Sequence, residues 1–137
     1  MKKLLTGALL VALSVGTLTL GTTTAALAIG CTITGTSASE KVWGTRHADV
    51  ICARAGNDRI IARAGRDVLR GAGGHDRLVG RRGHDRLFGG ARGDRLVSAD
   101  GVSGNDRVFG RSGHDVCRID KGDFTSECER VVIVRSR

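Results

Sequence analysis

The chain has no proline, no tyrosine, one tryptophan, three phenylalanines and one methionine in 137 residues. Large side chains normally fill a globular core, and aromatics carry much of it. With so few of them, one compact core cannot hold this chain, and the fold must be held in another way. The scarcity of rings also removes the stacking platforms that grip single-stranded nucleic acid, so no nucleic-acid partner is expected. No nucleophile elbow and no HExxH motif occurs, so the chain does not read as an enzyme.

Long apolar runs are scarce too. The one present, from Leu4 to Leu20, is broken by Thr6, Gly7, Ser14, Gly16 and Thr17, which suits it poorly to spanning a bilayer. Lys2 and Lys3 precede it and Ala26-Leu27-Ala28 follows. Basic, then apolar, then A-x-A reads as a secretory signal peptide over residues 1–28, so the remaining protein is expected to be secreted and without a membrane segment. Its removal lowers the formal charge from +8 to +6. A second processing reading is lipid anchoring through Cys31, against which Ala28 stands where a lipoprotein box has leucine.

Cysteine is limited to Cys31, Cys52, Cys117 and Cys128, none of them spaced C-x-x-C, which argues against a zinc cluster. Export permits disulfides. Three pairings are possible. Two cysteines lie towards each end, which favours Cys31–Cys52 and Cys117–Cys128.

Glycine is what the chain has in abundance, and it recurs with a period. From Gly35 the chain divides into nine blocks of nine: GTSASEKVW, GTRHADVIC, ARAGNDRII, ARAGRDVLR, GAGGHDRLV, GRRGHDRLF, GGARGDRLV, then after Ser98-Ala99-Asp100, GVSGNDRVF and GRSGHDVCR. Position six is always acidic: Glu40, Asp49, Asp58, Asp67, Asp76, Asp85, Asp94, Asp106 and Asp115. Position eight is apolar from Val42 to Cys117, and position four is Gly56, Gly65, Gly74, Gly83, Gly104 or Gly113 in six blocks. About three residues per block suit a strand, with one side chain inward. The rest suit a glycine turn. Such a unit buries its apolar residue only by stacking on its neighbours, as in a solenoid.

Stacked coils lie roughly 4.8 Å apart, which puts carboxylate above carboxylate. A cation between layers turns that repulsion into coordination. Carboxylates with turn carbonyls make an all-oxygen site of the kind that suits Ca²⁺ better than Mg²⁺.

The blocks resemble the nonapeptide repeats of RTX, or haemolysin-type, calcium-binding proteins, G-G-x-G-x-D-x-U-x, over residues 35–118. That resemblance implies an all-β parallel β-roll, two repeats per turn, several Ca²⁺ ions, and calcium binding coupled to folding. It implies one ladder of Glu40, Asp58, Asp76, Asp94 and Asp115, and another of Asp49, Asp67, Asp85 and Asp106. It places turn glycines of the metal sites at Gly56, Gly65, Gly71, Gly74, Gly80, Gly83, Gly104 and Gly113. Residues 29–34 and 119–137 are then an N-terminal cap and a C-terminal capping segment, and Glu129–Val134 suits a last strand pinned by Cys117–Cys128. Position two departs from the family glycine everywhere except Gly90, and position four at Ala38, His47 and Arg92. Asp58–Asp76 and Asp67–Asp85 therefore match best, Asp76–Asp94 and Asp85–Asp106 less well, and the outer pairs least. The insertion at Ser98-Ala99-Asp100 either breaks the roll or bulges from it.

Two other readings stay open. In one, Arg59, Arg77, Arg86, Arg95 and Arg107, each next to an Asp, neutralise an ion-free structural or adhesive solenoid; exposed pairs contribute roughly 0–1 kcal/mol each. In the other, a row of Lys41, Arg59, Arg77 and Arg95 beside Trp43, Ile61, Val79 and Val97 binds an anionic cell-surface polymer; against it, arginine stems commonly cover apolar neighbours. His47, His75, His84 and His114 read as turn residues, not zinc ligands.

Overall fold

The computed structural model describes residues 30–135, a parallel β-solenoid of about six coils with no helix. One six-stranded sheet holds β1 (Ile33–Thr34), β3 (Val50–Ala55), β5 (Val68–Gly73), β7 (Arg86–Ala91), β9 (Arg107–Ser112) and β11 (Phe124–Ser126). The other holds β2 (Lys41–Trp43), β4 (Arg59–Gly65), β6 (Arg77–Gly83), β8 (Arg95–Val97), β10 (Val116–Asp120) and β12 (Arg130–Val134). Successive strands alternate between sheets, so each coil is two blocks long, and Ile60 lies on Leu78 and Ile51 on Leu69. The signal-peptide reading falls on residues outside those described.

Position eight points inward throughout. Ile51, Leu69, Leu87 and Val108 form one column and Ile60, Leu78, Leu96 and Cys117 the facing one, all fully buried. Burying each such side chain contributes about 1.5–3 kcal/mol, so the narrow core grows by accumulation. Cys31–Cys52 and Cys117–Cys128 are both formed, with Cα separations of 5.8 and 6.0 Å, and staple the two ends. With Cys31 held by Cys52, its thiol is not free for a lipid.

Three expectations need correction. The strands are longer than three residues: β4 and β6 run through the first four positions of the next block. A second residue, at position one, therefore also faces inward, and Ala53 and Ala62 are buried there. Nine blocks also undercount the coils, because β1, β11 and β12 add strands beyond residues 35–118. The insertion bulges without breaking the roll. Register passes from 18 residues to 21, with Leu87 on Val108 and Leu96 on Cys117.

The turns need left-handed backbone at two places. Gly74 at position four has φ +128°, and a Cβ on it would collide with the carbonyl of Gly56 one coil back. Position two is left-handed as well, at φ 83° for Arg54, 85° for Arg63 and 71° for Arg81. That conformation costs a side-chain-bearing residue roughly 1–2 kcal/mol, which is the physical reason glycine suits position two.

Leu78→Ala should lower the urea-unfolding free energy by about 3 kcal/mol, whereas exposed Arg77→Ala should change it by less than about 0.5. Equal effects of the two would mean that the column is not the core.

Candidate metal centre

The aspartates at position six lie where a strand begins, with their side chains inside the turn. Asp58, Asp67, Asp76, Asp85, Asp94, Asp106 and Asp115 are each at most 3 % exposed. One oxygen of each is accounted for by the coil before it. The N–H of Asp58 donates to Oδ1 of Asp76 at 2.8 Å, that of Asp76 to Asp94 at 2.7 Å and that of Asp94 to Asp115 at 2.7 Å. On the other side Asp49 donates to Asp67 at 2.8 Å, Asp67 to Asp85 at 3.0 Å and Asp85 to Asp106 at 2.7 Å. Glu40 donates likewise to Asp58. The two ladders are thus brought together in the order the repeat implies.

The second oxygen is different. Oδ2 of Asp58, Asp67, Asp76, Asp85, Asp94, Asp106 and Asp115 is buried and has no hydrogen-bond partner. It points into the coil over position one: a Cβ on Gly71, Gly80, Gly89 or Gly110 would collide with Oδ2 of Asp76, Asp85, Asp94 or Asp115. Gly71 and Gly80 are therefore strand residues that make room for a carboxylate, not left-handed turn residues. Gly56, Gly65, Gly83, Gly104 and Gly113 do have positive φ, as Gly74 has. Asp49 departs from the row, because its Oδ2 accepts the Thr45 N–H at 2.6 Å and the Thr45 hydroxyl at 3.0 Å.

Burying an ionised oxygen without a partner is costly, and the group resists ionisation instead. Burial pushes the carboxyls of Asp58, Asp67, Asp76 and Asp115 upward, only partly opposed by the N–H bond each receives. Asp85, Asp94 and Asp106 are pushed up to about 7, by burial first and by neighbouring carboxylates in addition. The causes of these shifts name no arginine; His75 opposes the rise at Asp76 and Asp94, and His114 that at Asp115. Arg59, Arg77, Arg86, Arg95 and Arg107 are exposed on the outside of the strands, pointing away from the carboxylates they follow. Two of the histidines brace turns: His75 Nδ1 lies 2.8 Å from the Gly93 carbonyl, and His84 Nδ1 3.3 Å from that of Asn105.

Four acidic residues belong to this system without having been singled out. Asp123 accepts the Asp106 N–H at 3.3 Å and so ends one ladder, while Glu129 accepts the Asp115 N–H and ends the other. Asp120, 1 % exposed, accepts the N–H groups of Asp100 and Gly101 at 2.7 and 2.6 Å and holds the bulge to the roll. Asp123, Asp100 and Asp120 all push the Asp106 carboxyl upward. The legible signal was an acid just before a short apolar run, Asp123-Phe124 and Glu129-Arg130-Val131, at a spacing shorter than a full coil.

Among the described residues no three His, Cys, Asp or Glu side chains converge on one point. The carboxylates instead come one per coil on each side. The donors available to a cation are therefore hard carboxylate oxygens without partners, and this set fits Ca²⁺.

A four-copy model of the RTX calcium-binding nonapeptide repeat matches at residues 34–69, 43–78, 53–87, 70–102 and 88–123. No curated protein and no solved structure gives a match.

The upward shifts set a pH dependence for the chelated protein. A carboxyl that ionises less readily folded than unfolded stabilises the fold below its unfolded pKa, and that stability is lost as pH rises through its folded value. With Asp85, Asp94 and Asp106 near 7 against an ordinary 3.8, the melting temperature in chelator should fall from about pH 5 to about pH 8. Thermal melts followed by circular dichroism check this; a melting temperature that climbs over that range would contradict it.

Proposed function

The chain belongs to the RTX calcium-binding nonapeptide repeat family, and on that premise we propose that it is an exported calcium-binding β-roll whose folding is driven by the ion. The observation that carries this reading is the row of seven buried Oδ2 atoms without partners. Asp58, Asp67, Asp76, Asp85, Asp94, Asp106 and Asp115 would hold Ca²⁺, with turn backbone supplying further oxygens. Bound Ca²⁺ supplies the positive charge that lets the buried carboxylates stay ionised at neutral pH. Asp49 is weaker as a ligand, since Thr45 already occupies its second oxygen. The role is binding, not catalysis.

Coupling to folding follows from where the ligands come from. Successive rungs of a ladder stand 18 or 21 residues apart in the chain and meet only when coils stack. An ion that binds the stacked chain and not the open one stabilises folding by its whole binding free energy. Export supports the same reading from another side. The signal-peptide pattern ahead of residue 29 and two disulfides suit an oxidising compartment.

Far-UV circular dichroism of the oxidised protein, chelated and then titrated with Ca²⁺, tests the proposal. The β signal should rise cooperatively with Ca²⁺ and not with Mg²⁺. Asp76→Asn should raise the calcium midpoint by about tenfold, or roughly 1.4 kcal/mol, and Asp49→Asn by much less. A chelated protein that is already fully folded near neutral pH and indifferent to Ca²⁺ would sink the proposal.

A further inference from the structure

The even-numbered sheet carries a second in-register file of charge, on its outer face, and it is cationic. Lys41, Arg59, Arg77 and Arg95 pair strand to strand across β2, β4, β6 and β8, and all are exposed. At roughly 4.8 Å between strands they form a straight row along the solenoid axis. Like charges directly opposite one another destabilise a sheet. The buried carboxylate file has N–H groups to offset its repulsion and, under the function proposed above, a cation. The outer file has neither: the one acidic residue in the strands of this sheet is Asp120, which is buried.

Burial also sorts charge by sign over the described residues. Ten of the fourteen carboxylates are buried, whereas no lysine or arginine is. The exposed charge of the described residues is therefore more positive than their net charge. Two residues along each strand from the cations runs an apolar file from Trp43, 51 % exposed, to Val97.

We propose that this face is a binding site for a linear anionic polysaccharide lying along the solenoid axis. Its acid groups meet the Lys41–Arg95 file, and the apolar faces of its sugar rings meet the Trp43–Val97 file. A flush apolar row with cations along both sides of it, the Lys41–Arg95 file on one side and the in-register, exposed Arg63 and Arg81 on the other, is what selects a polysaccharide. Nucleic acid asks for a run of stacking rings, and Trp43 is the one ring in the strands of this sheet. An anionic membrane asks for a broad basic surface with apolar side chains that reach into it. The opposite face lacks the pattern: its corresponding file reads Val50, Val68, Arg86, Arg107 and Phe124, and Phe88 and Phe109 stack on one another at 5.0 Å.

Trp43, the only tryptophan, makes the file report on itself. The oxidised protein in calcium-containing buffer is titrated with dextran sulfate at several NaCl concentrations, with neutral dextran as control, and read by tryptophan fluorescence and by calorimetry. Saturable binding should appear, weakening linearly in log–log form as salt rises. The combined variant Arg59→Gln, Arg77→Gln, Arg95→Gln should bind more than about tenfold more weakly, while Arg54→Gln, Arg86→Gln, Arg107→Gln, an equal charge loss from the other sheet, should stay within about threefold. These residues are exposed, so circular dichroism of both variants should match the parent. Equal losses in the two variants would overturn the site in favour of overall charge. Absence of binding at low salt would overturn it as well. Tighter binding to phosphatidylglycerol vesicles or single-stranded DNA than to dextran sulfate would overturn the polysaccharide assignment.

Discussion

Parallel pairing at a spacing of two blocks puts each side chain on top of one from the same position of the repeat. Like therefore stands on like along the whole axis. For leucine this is favourable at every step, since Leu69 covers Ile51 and Leu87 covers Leu69. For aspartate it is unfavourable at every step unless something intervenes. The N–H of each preceding rung intervenes for one oxygen and leaves the other exposed to its neighbours' charge. Stability, pH response and the unpaired carboxylate oxygens all descend from this stacking, and so does the cationic file outside.

The period made most of this legible. A nine-residue recurrence of Asp76, Leu78 and Gly74 equivalents reveals the coil, the inward column and the ladders, because a repeat must treat equivalent positions equivalently. What stayed hidden has particular causes. Gly71 and Gly80 look like turn residues, yet they sit in strands, because the need for space beneath Asp76 and Asp85 also selects glycine. The full strand length is hidden in the sequence because position one is so often glycine, and glycine is a weak strand signal. Asp123 and Glu129 were missed because the last coils are truncated, so their spacing from Asp106 and Asp115 breaks the period. Asp120 lies outside every block, and only the three-dimensional bulge shows what it holds.

Arginine at position two has a physical cost that the family glycine avoids. Arg54, Arg63, Arg81 and Arg111 each adopt left-handed backbone that a β-carbon disfavours. Their strain opposes the coils that burial and disulfides hold together. A solenoid with so thin a core has little margin for that strain. This makes the orphaned carboxylate oxygens consequential: they are where the ion-free fold is weakest and where a ligand has most to contribute.

The ladder also has a direction. Each rung's N–H is met by a carboxylate one coil further toward the C-terminus, as Asp58 is met by Asp76 and Asp76 by Asp94. For a chain that emerges N-terminus first, no coil is finished until its successor has arrived. Coils are then completed in order from the N-terminal end, and the last ones are closed by Asp123, Glu129 and the Cys117–Cys128 bond.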